Sequence, residues 1–167
     1  EWIALSDASA SVVLEGEKHY YLAENLEFDS TEVAVSYPYS AEYSRKDACL
    51  HLNGKNLTNK QGVAIFAGNY LNVMGNGIVS GNYTAKTQRA ATVEVNSTVA
   101  RLNLFGGTYV KPASNTMNTI VWFNNVGGII NVYQQYLLGN LDVTTEEIVE
   151  EIAILIKSSS YTILDMQ

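Results

Sequence analysis

Down the middle of this chain, apolar and polar residues alternate in short bursts, and the bursts share a phrase. It reads Leu50-His-Leu-Asn-Gly54, then Leu71-Asn-Val-Met-Gly75, then Leu102-Asn-Leu-Phe-Gly106. It returns as Ile130-Asn-Val-Tyr133 and, more faintly, as Leu164-Asp-Met166. A period of two is the mark of a strand with one buried face. If Leu50/Leu52, Leu71/Val73, Leu102/Leu104 and Ile130/Val132 face inward, then His51, Asn72, Asn103 and Asn131 form an outward column. A second strand follows each glycine: Asn56–Thr58, Gly77–Val79, Thr108–Val110 and Tyr136–Leu138. A third precedes the phrase: Val63–Phe66, Thr92–Val95 and Ile120–Phe123. Glycines and asparagines sit at the joints, where positive φ is often required. Three short strands per repeat, returning at uneven intervals, predict a solenoid of stacked rungs with loops of variable length.

The flanks differ from this body. Val12-Val-Leu14, Tyr20-Tyr-Leu22, Leu26-Glu-Phe28 and Val33-Ala-Val35 predict short leading strands. Residues 36–48, with Pro38 and several serines, break the strand pattern and predict an excursion loop. Two further polar excursions are expected at Lys86–Arg89 and Pro112–Asn118. At the far end Thr144-x-x-Glu147 is a capping box, and Ile148, Ile152, Leu155 and Ile156 fall at helical spacing. A short helix there would cover the apolar end of a solenoid. Ile152–Ile156 equally suits a strand. The expected organisation is one domain: leading strands and a Tyr-rich loop over 1–48, a repeat body over 49–141, and a helix-containing cap over 142–167.

The segments "CLHLNGKNLT", "LNVMGNGIVSGN" and "LNLFGGTYV", with "HYYLAENLEF" before them, resemble the pectate-lyase-like right-handed parallel β-helix repeats of secreted bacterial surface proteins. The resemblance spans roughly residues 12–138. It implies an all-β, single-stranded right-handed parallel β-helix, here with a short C-terminal helix. It also implies a secreted or bacterial cell-surface location. That group includes polysaccharide lyases and hydrolases, adhesins and modules without activity. This chain is much shorter than the lyases, and no catalytic motif can be matched to it residue by residue.

Charge adds an asymmetry. The net charge is −7, yet residues 51–141 carry one acid, Glu94, against six Lys or Arg. The acids crowd the two ends. The body therefore reads either as a neutral solenoid between charged caps or as a mildly cationic surface for an anionic polymer. A modest positive body in an acidic chain argues against nucleic acid. Cys49 is the only cysteine, which excludes a disulfide framework and a cysteine zinc cluster. No apolar run approaches a membrane span and no signal-peptide pattern is present, so membrane insertion is not expected. The chain opens on Glu1 rather than Met, which predicts a processed or trimmed chain.

Catalytic chemistry finds little to build on. Uronate elimination needs a base and clustered carboxylates for a cation. Arg101 could be the base, but the body has no carboxylate cluster; Glu24, Glu27, Asp29 and Glu32 could supply one only by folding beside it. Glycoside hydrolysis needs two flanking carboxylates, and Glu94 alone, read as a solvated side chain, cannot serve. Cys49 with His51 lacks a third group. No catalytic residue, metal site or cofactor is expected.

Two binding surfaces remain. The column His51, Asn72, Asn103, Asn131 is either a stack of amides that pins register or a polar strip for sugar hydroxyls. Tyr37, Tyr39 and Tyr43, with Arg45 and Lys46, are either a binding loop or a flap folded over the solenoid edge. Met74, Phe105 and Tyr133 lie beside the column. The sequence thus predicts a non-catalytic module that binds a polysaccharide, a cell-surface glycan or another surface partner. A polysaccharide lyase or hydrolase, or a dead relative, is the alternative, and a structural stalk a second one. Oligomeric state is not legible.

Overall fold

The computed structural model describes residues 1–81, 91–110, 119–123, 128–132 and 165–166. The described residues form strands and no helix. In order these are β1 (Trp2–Leu5), β2 (Val12–Val13), β3 (His19–Leu22), β4 (Leu26–Phe28), β5 (Val33–Tyr37), β6 (Asp47–His51), β7 (Leu57–Asn59) and β8 (Val63–Ala67). They continue as β9 (Tyr70–Met74), β10 (Ile78–Gly81), β11 (Ala91–Val95), β12 (Arg101–Leu104), β13 (Thr108–Val110), β14 (Thr119–Phe123), β15 (Ile129–Val132) and β16 (Asp165–Met166).

The strands fall into three sheets: β1-β3-β6-β9-β12-β15-β16, β13-β10-β7-β4 and β14-β11-β8-β5-β2. All strand pairs within them are parallel. From β3 to β15 the chain visits the seven-, four- and five-stranded sheets in an unchanging cycle. Each return lays a strand beside its predecessor. This follows from the sequence: every pass offers three short alternating segments, too short to bury a face alone, separated by turn residues.

Parallel registry stacks like on like. One inward row of the seven-stranded sheet runs Ala48, Leu71, Leu102, Ile130, all essentially sealed from solvent. Its neighbour runs Leu50, Val73, Leu104. The five-stranded sheet contributes Val35, Ile65, Val93, and the four-stranded sheet Leu26, Leu57, Val79, Tyr109. Burying one large aliphatic side chain contributes roughly 1.5–3 kcal/mol, so these rows are the main driving force for the fold. The buried Asn59 is bonded on both sides. The Asn59 amide donates to the Val63 carbonyl at 2.9 Å and accepts from the Ser30 N–H at 3.2 Å.

Most expected segments appear as strands in place, and the differences are specific. β1 lies in a stretch for which no strand was expected. β3 and β6 pair with the same parallel registry as the later strands. The phrase around Leu50 sits two residues out of step, because Leu50 pairs with Val73 and Ala48 with Leu71. Leu52 is buried at the corner after β6, where its N–H donates to the Met74 carbonyl at 2.8 Å. Glu94 is not solvated; it is buried, 3% exposed, and its carboxylate accepts from the Asn96 amide at 3.1 Å. The faint last copy does pair, Asp165 beside Asn131 and Met166 beside Val132. The helix from Thr144, the strand at Tyr136–Leu138, Tyr133 and the excursions at Lys86–Arg89 and Pro112–Asn118 lie outside the described residues.

Candidate binding face

The outward side of the seven-stranded sheet carries one continuous row: Trp2, His19, Cys49, Asn72, Asn103, Asn131. Its middle is a ladder. The Asn131 amide donates to the Asn103 carbonyl oxygen at 2.7 Å, and Asn103 to Asn72 at 2.7 Å. Asn72 then donates towards the Cys49 sulfur at 3.8 Å and the Asp47 carboxylate at 3.4 Å, the weak end of the run. Asn103, bonded on both sides, spends one of its two N–H groups and one of its two lone pairs on the ladder. All three asparagines are partly exposed, so the remaining capacity faces outward.

His51 is not part of that ladder. It lies in the next outward row, Tyr21–His51–Met74, with Cys49 taking the position expected of it. The His51 ring rests on Gly75: a Cβ there would come within 2.6 Å of the imidazole Cε1, and Gly75 holds φ +80. Its Nδ1 accepts the Asn53 N–H at 3.0 Å, so in the neutral ring the proton sits on Nε2. Cys49 is half-buried. Burial pushes its thiol pKa up, the Asn72 amide offsets this in part, and Asp47 raises it further. Such a thiol is a poor nucleophile at neutral pH.

At the edge of the sheet the row becomes aromatic. The Trp2 indole packs on His19 with centroids 5.2 Å apart at 51°, and meets His51 edge-on at 5.9 Å and 85°. Trp2 is 46% exposed. Sequence reasoning passed over this residue; it is the register, with Ile3 and Leu5 beside the inward Tyr20 and Leu22, that leaves Trp2 facing out.

The tyrosine loop behaves differently. Tyr37 is fully buried at the end of β5, and its hydroxyl donates to the Lys46 carbonyl at 2.9 Å. It cannot meet a ligand, which corrects its place among the expected binding residues. Burial, then the nearby charge of Asp47, pushes its pKa up to about 12. Tyr43 is half-buried over Gly16, where a Cβ would lie 2.7 Å from its ring. Tyr39 alone of the three is open, at 53%. The buried Asn69 pins the loop: its Oδ1 accepts the Arg45 N–H at 2.9 Å and its amide donates to the Tyr43 carbonyl. Lys46 ties it to Glu17 at 3.0 Å.

The residues weighed for catalysis are apart. Arg101 is on β12 of the seven-stranded sheet, its guanidinium stacked 4.9 Å from the Tyr70 ring centroid. Glu27 is on β4 of the four-stranded sheet and pairs with Lys60, while Asp29 just after it accepts from the Gln61 amide. Among the described residues no three His, Cys, Asp or Glu side chains are grouped to hold a metal ion, and no helix is long and apolar enough to cross a membrane. Comparison with protein-family models, curated proteins and solved structures gives no match.

Proposed function

We propose that this chain is a parallel β-helix, right-handed as in the pectate-lyase-like surface proteins it resembles, and that it is a secreted or bacterial cell-surface module that binds glycan. Binding rather than bond cleavage is its activity, on this reading. The cyclic three-sheet path and the stacked inward rows support the solenoid. The observation that carries the function is the outward face of the seven-stranded sheet. There a register-matched line of partly exposed amides, Asn72, Asn103 and Asn131, runs beside the half-buried side chains of Tyr21, Tyr70 and Phe105. The Asn103 amide has one N–H and one lone pair beyond its ladder bonds, which suits sugar hydroxyls that donate and accept at once, and aromatic surface suits the CH faces of the ring. The ladder also holds registry, so the strip comes already ordered and little entropy is lost on binding.

A panel of neutral and uronate-rich polysaccharides, read for both retention and released ends, tests this. Retention without product is expected. Release of unsaturated or reducing ends would make the chain an enzyme. Neither retention nor release would leave a structural stalk as the better account.

A further inference from the structure

Two Asn-Gly steps occur in the chain, Asn53-Gly54 and Asn76-Gly77. They lie at joints of the repeat, between β6 and β7 and between β9 and β10. The Gly54 N–H donates to the Asn76 carbonyl at 2.6 Å, so the two joints are stacked in direct contact. Asparagine before glycine is chemically labile. With no Cβ in the way, the glycine nitrogen can attack the side-chain carbonyl carbon of its neighbour.

The structure treats the two steps differently. Asn53 is held at φ +55, and its side-chain amide donates to the Leu22 carbonyl at 3.0 Å. Its own N–H donates to His51 Nδ1 at 3.0 Å, and the attacking nitrogen, that of Gly54, is already bonded to the Asn76 carbonyl. Reaction at Asn53 therefore has to wait for these bonds to open. Asn76 is exposed, and among the described residues no hydrogen bond holds its side-chain amide or the Gly77 N–H. Only carbonyls are anchored there: that of Asn76 on Gly54, and that of Gly77 on the Thr108 N–H at 2.8 Å. The glycine itself is required, because a Cβ at Gly77 would lie 2.1 Å from the Lys55 carbonyl oxygen.

We infer that Asn76 is a site of spontaneous deamidation and backbone isomerisation, with Asn53 as its protected twin; this stands apart from the glycan reading. The Gly77 nitrogen bonds to the Asn76 Cγ and gives its proton to solvent. The Cγ–Nδ2 bond breaks and ammonia leaves. Water, the only co-reactant, then opens the succinimide at either carbonyl to give aspartate or isoaspartate. Isoaspartate routes the main chain through one extra methylene, which displaces the carbonyls that Gly54 and Thr108 use.

The test incubates the folded protein beside a urea-unfolded sample, in mildly alkaline buffer made with heavy-oxygen water. Peptides holding each asparagine are then read by mass spectrometry. In the folded protein Asn76 should convert about tenfold or more faster than Asn53, and in urea the two rates should converge. Asn76→Gln should abolish conversion at that position. The isoaspartate form, separated by chromatography, should melt below Asn76→Asp, which adds the charge without the methylene. Equal conversion of Asn53 and Asn76 in the folded protein would overturn the inference. So would an Asn76 that stays intact when folded yet converts in urea. Equal melting of the isoaspartate form and Asn76→Asp would overturn the claim that isomerisation disturbs the joint.

Discussion

The tyrosine loop and the leading edge of the seven-stranded sheet hold similar aromatic material and use it in opposite ways. In the loop, Tyr37 ends β5 on an inward position and is sealed, its hydroxyl spent on the Lys46 carbonyl. At the sheet edge, Trp2 starts β1 on an outward position and is 46% exposed. Composition would favour the loop as the recognition surface, since three tyrosines and two cations lie within ten residues. Strand parity sets the two regions apart. One step along a strand moves a side chain from core to solvent, and nothing in the residue type itself carries that information.

The largest effect that separates the two regions is stability. Tyr37→Ala should cost about 3–5 kcal/mol, as for other large buried aromatics. Trp2→Ala should stay within about 1 kcal/mol. Urea unfolding of both variants checks this, and equal losses would erase the distinction. Next comes the support beneath the edge. Gly75→Ala should cost more than about 1 kcal/mol, because it places a Cβ against the His51 ring at a positive φ. The histidine resonances of that variant should move while the core methyl resonances hold. Asn103→Ala removes two ladder bonds at 2.7 Å and should cost about 1–2 kcal/mol; a double-mutant cycle with Asn72 would show whether the ladder acts as a unit.

A further effect appears only in alkali. Tyr37 keeps its proton in the folded state up to about pH 12, whereas an unfolded tyrosine loses it near 10. Over that window the unfolded chain binds fewer protons than the folded one, so stability falls as pH rises. This contribution is fully present below about pH 10. Tyr37→Phe should flatten that part of the curve. An unchanged slope in Tyr37→Phe would mean that its buried hydroxyl does not carry the effect.

Much of the strand content was legible because alternation is local. Segments such as Leu26-Glu-Phe28 and Leu71-Asn-Val73 carry their own period, and each lies in a strand. Register was less legible. Leu50-x-Leu52 before Gly54 mimics Leu71-x-Val73 before Gly75, yet Leu52 is buried at a corner rather than within β6. Two turns of different length can each require a glycine, so a shared glycine does not fix alignment. The asparagine ladder was foreseen as a feature, with His51 in the place that Cys49 fills. The burial of Glu94 was not foreseen, because outward parity predicts solvent only where nothing packs over the strand. Trp2 was missed because β1 has no polar alternation: Trp2 and Ala4 face out between Ile3 and Leu5, and the period-two signal vanishes.

The central claim is that recognition sits on the outer face of the seven-stranded sheet and not on the tyrosine loop. The direct test compares Trp2→Ala with Tyr39→Ala, the one exposed tyrosine of Tyr37, Tyr39 and Tyr43, for affinity to whichever polysaccharide retains the unmodified protein. Loss of affinity in Trp2→Ala with Tyr39→Ala unchanged is the predicted result. Loss in Tyr39→Ala with Trp2→Ala unchanged would move the site to the loop and contradict the account.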